Sequence, residues 1–442
     1  MGKRARTIVM TEGRPAGLIL GLFFPLLAGN LCQQFYSFAD AVIVGKGIGD
    51  EALAAVGTTG PVNFLLLGFL TGLTRGFGIH FAQSFGAGNG KRLVREVRSA
   101  VWLCAGTSLL VAELSLLFLR EIFAAMGTPE ALLPMTCGYF RIILLGIPVT
   151  AFNNLCLTLL ESLGDGRTPF AAMLLSSAAN ILLDILLVLV LPFGVYGAAA
   201  ATVASQLLSI GYCLLFLRRI EGLSGVFARD GGAEHGVWVR MLLTGLPLGL
   251  MNSVTALGTM LLQTFVNGMG SVCMTAYAVC VKYQSIFEQF GMSLGMSVLT
   301  FVGQNTGAGR MDRVRQGVKA GVLLSVCINA PIAAAEIFFG RQLALFMASA
   351  PEVIEQCLVL LPLFGIFMLP LGFLFVFRYA CQGLGNTTLP MVSGIYELAN
   401  RLVLGGLLHS TFLGIGIAEV SSWAGAWLIL MASYFHLMRK RA

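Results

Sequence analysis

Gln83-Ser84-Phe85-Gly86-Ala87-Gly88 decides the fold, because the chain repeats it: Gln304-Asn305-Thr306-Gly307-Ala308-Gly309 stands 221 residues later. A basic cluster follows each copy, with Arg92 and Arg313 in register. Leu163-Gly164 and Pro169 return as Leu384-Gly385 and Pro390, and Gly47-x-Gly49 returns as Gly268-x-Gly270, all at the same offset. Near the end the offset slips by one, so that Gly194-Val195 matches Gly414-Ile415. Separate blocks at a single offset mark an internal duplication of the chain.

Outward from these blocks the chain is apolar. Its 442 residues are 57% hydrophobic and 11% charged, with a mean hydropathy of +0.85. A soluble chain carries roughly 25% charged residues. The apolar runs reach the roughly 20 residues that a membrane-crossing helix needs. Backbone groups in lipid must pair within their own segment, so these runs are expected as helices. They are too long and too little alternating for β-barrel strands. Twelve spans are expected near 16–40, 52–82, 99–120, 132–160, 170–191, 194–217, 238–266, 273–302, 318–340, 353–379, 388–409 and 412–437. Pro25 in the first and Pro247 in the seventh remove a backbone hydrogen bond and permit a bend.

The domains implied are an N-terminal six-helix lobe over 1–217, a charged cytoplasmic linker over 218–237 and a C-terminal six-helix lobe over 238–442. Six spans per copy give both copies the same orientation, related by an axis along the membrane normal. Twenty of the 28 basic residues fall in loops on one side, from Lys3, Arg4 and Arg6 through Arg92, Arg218 and Arg313 to Arg439, Lys440 and Arg441. The positive-inside rule makes that side cytoplasmic and places both termini there. The surplus of +7 is thus topological, and no nucleic-acid partner is expected. Met1-Gly2-Lys3-Arg4-Ala5-Arg6 lacks a cleavage-site pattern and reads as a basic lead into the first span. The ten cysteines form no C-x-x-C pair, and most read as small buried hydrophobes.

Ionisable groups inside spans cost roughly 2.5–3.5 kcal/mol on insertion scales, so each is a candidate for function. Asp40 follows Gln33, Gln34 and Tyr36 in span 1. Asn180 and Asp184, four apart, share one face of span 5. Thr202 lies in span 6. At the repeat offset Asp40, Asn180 and Asp184 meet Leu261, Arg401 and Gly405, so the frame is duplicated and this acid set is not. Two carboxylates in a dry cavity either share a proton or neutralise one Na⁺ with neutral oxygens nearby, unless they serve only structural hydrogen bonds. Glu397 and Arg401, four apart, read as a structural ion pair. Lys282 and Glu288 read either as cavity-lining groups or as a pair. Arg75 can snorkel to the interface, and His80 lies near the cytoplasmic end.

Asp40, the two Gln-x-x-Gly-Ala-Gly blocks, Leu163-Gly164-Asp165-Gly166, Asn180-Ile181-Leu182-Leu183-Asp184 and Gly194-Val195-Tyr196-Gly197 with the alanines up to Thr202 together resemble the multidrug and toxic compound extrusion (MATE) family, over nearly the whole chain. The resemblance is to the bacterial MepA-like and DinF-like branch. It implies an all-α membrane protein of twelve helices in two lobes forming a V. It also implies an antiporter that exports amphipathic organic cations against H⁺ or Na⁺ by alternating access. Asp40, Asn180, Asp184 and Thr202 are then the cation-coupling site, and the only place for a metal ion, as Na⁺. Glu288, Lys282, Gln34, Tyr36, Asn153 and Asn154 are assigned to substrate. No organic cofactor is expected, and the protein is expected as a monomer in the plasma membrane. Some members carry acids in spans 7 and 10. Here span 7 offers Asn252 and Gln263, and span 10 no interior carboxylate, so no second-lobe cation site of that kind is expected. The rival reading is a flippase of lipid-linked saccharides, which would need a basic cavity; Arg75, Lys282, Arg378 and Arg401 keep it in view. A membrane enzyme is disfavoured by four scattered histidines and the lack of a metal or nucleophile motif.

Overall fold

A computed structural model describes residues 8–191, 193–220 and 235–441. Fourteen α-helices are present among the described residues. Twelve are long: α1 (Pro15–Gly47), α2 (Asp50–Gly86), α3 (Gly90–Leu117), α5 (Leu133–Ser162), α6 (Arg167–Asp184), α7 (Gly194–Leu217), α8 (His235–Asn267), α9 (Ser271–Gly307), α10 (Met311–Phe338), α12 (Pro351–Gly383), α13 (Thr388–Leu408) and α14 (Phe412–Lys440). Two are short, α4 (Leu119–Ala125) and α11 (Gly340–Met347), and they too stand at the repeat offset. Eleven of the long helices are apolar enough to cross a membrane. The twelfth, α13, is their repeat counterpart of α6 and carries Glu397, Asn400 and Arg401. The twelve-helix architecture expected from the sequence is therefore present. Pro25 and Pro247 lie inside unbroken helices.

The repeated glycines have a shared conformational cause. Gly88 and Gly309 adopt φ of 67° and 72°, and Gly164 and Gly385 adopt 79° and 84°. Each follows a helix end in the left-handed region that side chains with a Cβ resist. The closures match as well. Asn89 N–H donates to Ser84 O and Arg310 N–H to Asn305 O; Asp165 N–H donates to Leu160 O and Asn386 N–H to Cys381 O. The same turn chemistry thus ends corresponding helices in both copies.

The chain packs as two compact units. One is built chiefly from Ala28–Gly249, the other from Val9–Leu27 with Leu250–Ala442. The boundaries fall inside α1 and α8 at corresponding positions, whereas the sequence suggested a division at 217 and 238. The contacts give the reason. Met10 N–H donates to Gln304 Oε1 at 2.8 Å, and Asn305, Arg310 and Arg313 donate to the carbonyls of Met10, Thr11 and Gly13. These bonds hold the approach to α1 in the second unit. The first half of α8 joins the first unit because Gly72 and Gly76 of α2 bring its backbone close to Gly245 and Leu248. Of the expected linker 218–237, residues 221–234 lie outside the described residues.

Within the first unit α5 packs against α2, α3 and α7; within the second, its counterpart α12 packs against α9, α10 and α14. Phe77, Phe81, Phe123 and Phe140 are fully buried in the first core. Phe301 and Phe364 are fully buried in the second, Phe364 against Trp423. Polar residues that remain inside each unit therefore need partners close at hand.

Candidate functional site

In the first unit, α1 turns Gln33, Tyr36 and Asp40 to one face, at the three- and four-residue spacing of a helix. α6 supplies Asn180 and Asp184, exposed by 1% and 0%, and α7 supplies Thr202. The Asp40 and Asp184 carboxyls lie close enough to interact with one another. Like charges held together in this way favour uptake of a proton or cation. The Asn180 amide sits with its nitrogen toward Asp184, donating to Oδ2 at 2.8 Å, and its oxygen accepts from the Thr202 N–H at 3.2 Å. The opposite orientation would set oxygen against oxygen. Thr202 donates its hydroxyl to Ala198 O at 3.1 Å and pairs with the Tyr36 hydroxyl. Tyr139 of α5 lies within electrostatic range of both acids.

One oxygen of each acid, Oδ1 of Asp40 and of Asp184, is buried without a hydrogen-bond partner. Buried carboxylate oxygens in this condition are costly unless a proton or cation neutralises them. The donors are all oxygens, from two carboxylates, a hydroxyl and the adjoining phenols. That set suits H⁺ or a hard alkali cation better than a soft transition metal. Immediately after Asp184 the helix widens into a π-helical stretch, Ile185–Val190. Such stretches are frequent where a helix serves a site. The counterpart helix α13 has none.

Beside this cluster lies a cavity of about 220 Å³. Asn180 and Tyr36 form its boundary with the acids, and Thr71, Asn153, Asn154 and Gln206 line it. Asn154 donates to Thr71 Oγ1 at 3.1 Å, and Thr150 to Gln206 Oε1 at 2.7 Å. Asn153 Oδ1 is left without a partner. Of the sequence-assigned substrate residues, Tyr36, Asn153 and Asn154 line the cavity. Gln34 does not: one residue on from Gln33, it is turned by roughly 100° from that face.

The second unit is built differently. A cavity of about 300 Å³ is lined by Glu288, Tyr277, Gln284, Glu419, Gln263 and Phe364, among others. Gln284 is 6% exposed, and neither end of its amide has a well-formed hydrogen bond. Lys282 is exposed and does not line this cavity. Six residues of helix carry it to a different face from Glu288, so the two are neither a pair nor a shared wall.

Behind Glu419 lies a buried chain of charges. Arg401 Nε and Nη2 donate to the two Glu419 oxygens at 3.0 and 2.7 Å. Glu397 accepts instead from Arg378 and lies 3.9 Å from Arg401 Nη1. The i,i+4 pair expected on α13 is therefore the weaker contact. Each partner is taken up mainly by a neighbouring helix. Sequence reasoning also missed Tyr139, Thr71, Thr150 and Gln206. Each is an ordinary polar residue in an apolar run, with no spacing signal to separate it from a core hydroxyl. Arg75 faces the charge of Glu161, His80 bonds Thr244 Oγ1 at 2.9 Å, and Glu113 is exposed.

Polar cavities and buried acids inside two duplicated helical units define a membrane transporter of small molecules. The MatE family model matches residues 25–186 and 247–405, one match for each copy of the repeat. The chain belongs to this family, the multidrug and toxic compound extrusion transporters. It is 26% identical to the probable multidrug resistance protein YoeA of Bacillus subtilis (strain 168), over 94% of this chain and 93% of that one. It is 27% identical to the FAD transporter of Shewanella oneidensis, over 88% and 85%. Among solved structures, the outward-facing conformation of a multidrug resistance MATE family transporter of the MOP superfamily superposes with a TM-score of 0.91. That match has 20% identity and covers 100% of this chain and 99% of the other.

Proposed function

We infer that this protein exports amphipathic organic cations by alternating access, driven by inward movement of H⁺ or Na⁺ through the Asp40–Asp184 site. The observation that carries this reading is the acid pair itself. A buried carboxyl, Asp184, and a half-buried one, Asp40, interact with each other, each with a buried oxygen that lacks a hydrogen-bond partner, next to a polar cavity. A cation arriving there satisfies both acids, and its departure leaves them uncompensated. Only an ion with different affinity for the two access states can drive the change between them. Asn180 orients Asp184, and Thr202 with Tyr36 completes the oxygen cage. The protein is placed in the plasma membrane as a monomer, with both termini in the cytoplasm, in keeping with its basic loops.

Substrate binding is assigned to Tyr36, Asn153 and Asn154 in the first lobe and to Glu288 with Gln284 in the second. Neither cavity has a basic side chain in its lining, which favours a cationic or neutral substrate. The same observation weighs against the flippase alternative. Arg378 and Arg401 are neutralised by Glu397 and Glu419, Arg75 faces Glu161, and Lys282 lies outside the cavity. A pyrophosphate therefore meets no free positive wall in either one.

The test is dye efflux from sealed vesicles, with proton and sodium gradients imposed one at a time. One gradient should drive efflux in the wild type and neither in Asp40→Asn, at equal amounts of inserted protein. Unchanged efflux by Asp40→Asn sinks the coupling assignment.

A further inference from the structure

The repeat places five neutral residues of the first lobe opposite five ionisable ones in the second. Leu67, Leu157, Ser176 and Asn180 correspond to Glu288, Arg378, Glu397 and Arg401 at the offset of 221. With the one-residue slip after Gly194, Ala199 corresponds to Glu419. In the other direction, Asp40 and Asp184 correspond to Leu261 and Gly405. The same region of each bundle thus holds an acid pair in one lobe and a chain of two arginines and two glutamates in the other.

That chain is closed on itself. Arg378, Glu397, Arg401 and Glu419 are all 8% exposed or less, and their formal charges cancel. Arg401 stands at the Asn180 position, beside a carboxylate that α14 supplies and α7 lacks. Room for its guanidinium comes from Gly258 of α8, the counterpart of Ser37, one turn from Asp40. A Cβ there would lie 3.0 Å from Arg401 Nη1. Where α1 aims an acid at α6, α8 withdraws its side chain so that a cation on α13 can pass.

We propose that Arg401 is a tethered cation, filling beside Glu397 and Glu419 the role that an exchangeable ion takes beside Asp40 and Asp184, so that this cluster, unlike the first-lobe acids, exchanges no ion with water. This rests on ion coupling at Asp40 and Asp184. A guanidinium stays protonated in proteins and, being covalently attached, cannot leave with the transport cycle. Its fork meets Glu419 through two parallel bonds, the geometry in which a carboxylate holds arginine best. The Arg378–Glu397–Arg401–Glu419 cluster then keeps its charge balance in every state; Glu336, buried elsewhere in the lobe with neither oxygen hydrogen-bonded, stands outside it.

The test uses the purified full-length chain in detergent, with thermal unfolding followed against added Na⁺ or guanidinium at constant ionic strength, choline being the balancing cation. With Arg401 intact, Asp40→Asn/Asp184→Asn, in a Glu336→Gln background kept throughout because Glu336 is itself a buried acid without a partner, should show no response to either ion. Adding Arg401→Ala to that background should create a saturable response to millimolar guanidinium, a rise of about 5 °C in the midpoint. Arg401→Ala/Glu419→Gln, whose buried group is again neutral, should lose that response. No guanidinium response in the Arg401→Ala background overturns the proposal. So does an ion response that persists when Arg401 is intact and both aspartates are replaced. If Arg401→Ala cannot be purified, the neutral double variant must still be; failure of both means that packing rather than charge holds the place, and the proposal falls. Unimpaired efflux by Asp40→Asn would instead count against the first-lobe coupling, and these unfolding measurements read independently of it.

Discussion

The two lobes share their helix order, their turn glycines and their short fourth helix, yet they neutralise buried charge by opposite means. The first lobe holds two acids with orphaned oxygens and a neutral amide that donates to one of them, Asp184. At the corresponding depth the second holds Glu397 and Glu419, each paired with an arginine; its one orphaned buried acid among the described residues, Glu336, lies on another helix, α10. An unfinished charge set is poised to take something up, and a finished one is poised to hold still. The duplication supplied the frame, and divergence at a few positions gave the halves different charge sets.

Amide substitutions offer the sharpest way to break this comparison. Asp184→Asn should reduce drug resistance to that of cells lacking the transporter, measured as the minimum inhibitory concentration of a cationic dye, with unfolding barely changed. The buried oxygen it removes has no partner to lose. Glu419→Gln should do the reverse in kind. It strands Arg401 in the interior, and removing one member of a buried pair costs about 3–5 kcal/mol. Thermal unfolding of the purified protein should show that loss. Equal stability losses from the two substitutions would erase the contrast drawn between the lobes.

Smaller effects should be symmetric instead. Gly88→Ala and Gly309→Ala each force a Cβ into the left-handed region with nothing within 4 Å to clash. Each should therefore cost about 1 kcal/mol, alike in both lobes. A clear difference between them would mean that one turn has a further role. Arg92→Ala should have a comparable effect. Its 2.8 Å pair with Glu96 is 41% exposed on the arginine side but only 4% on the glutamate side. Glu96 keeps the Ser84 hydroxyl at 2.6 Å, so the lost bond to a buried carboxylate should cost about 1–2 kcal/mol in thermal unfolding. Arg313, its counterpart, donates to the carbonyls of Met10 and Gly13. Arg313→Ala should loosen that segment, seen as faster amide exchange over residues 9–13.

Much of this was readable before any coordinates. The twelve long helices follow from hydrophobic length, and the glycine blocks foretold matching turns because left-handed φ demands glycine. Asp40, Asn180 and Asp184 stood out because ionisable groups are rare in apolar helices. Arg401 shows where that reading ends. Along α13 its nearest acid is Glu397, four residues away, and the helix period alone favours that pair. The structure gives Arg401 to Glu419, eighteen residues on, and Glu397 to Arg378, nineteen back. Lys282 and Gln34 fall outside the two cavity linings for a related reason: proximity in sequence does not say which side of a packed helix faces the cavity.

The sequence by itself determined the number of spans, the duplication and the presence of an unpaired acid set in the first copy, because hydrophobic length, turn conformation and the cost of buried charge are properties of local stretches. Only the tertiary structure decided that α1 and α8 divide between the units, that Asp40 reaches Asp184, and that Arg401 closes on Glu419. Those outcomes depend on which helix faces meet across the bundle, and that is fixed by packing among segments far apart in the chain.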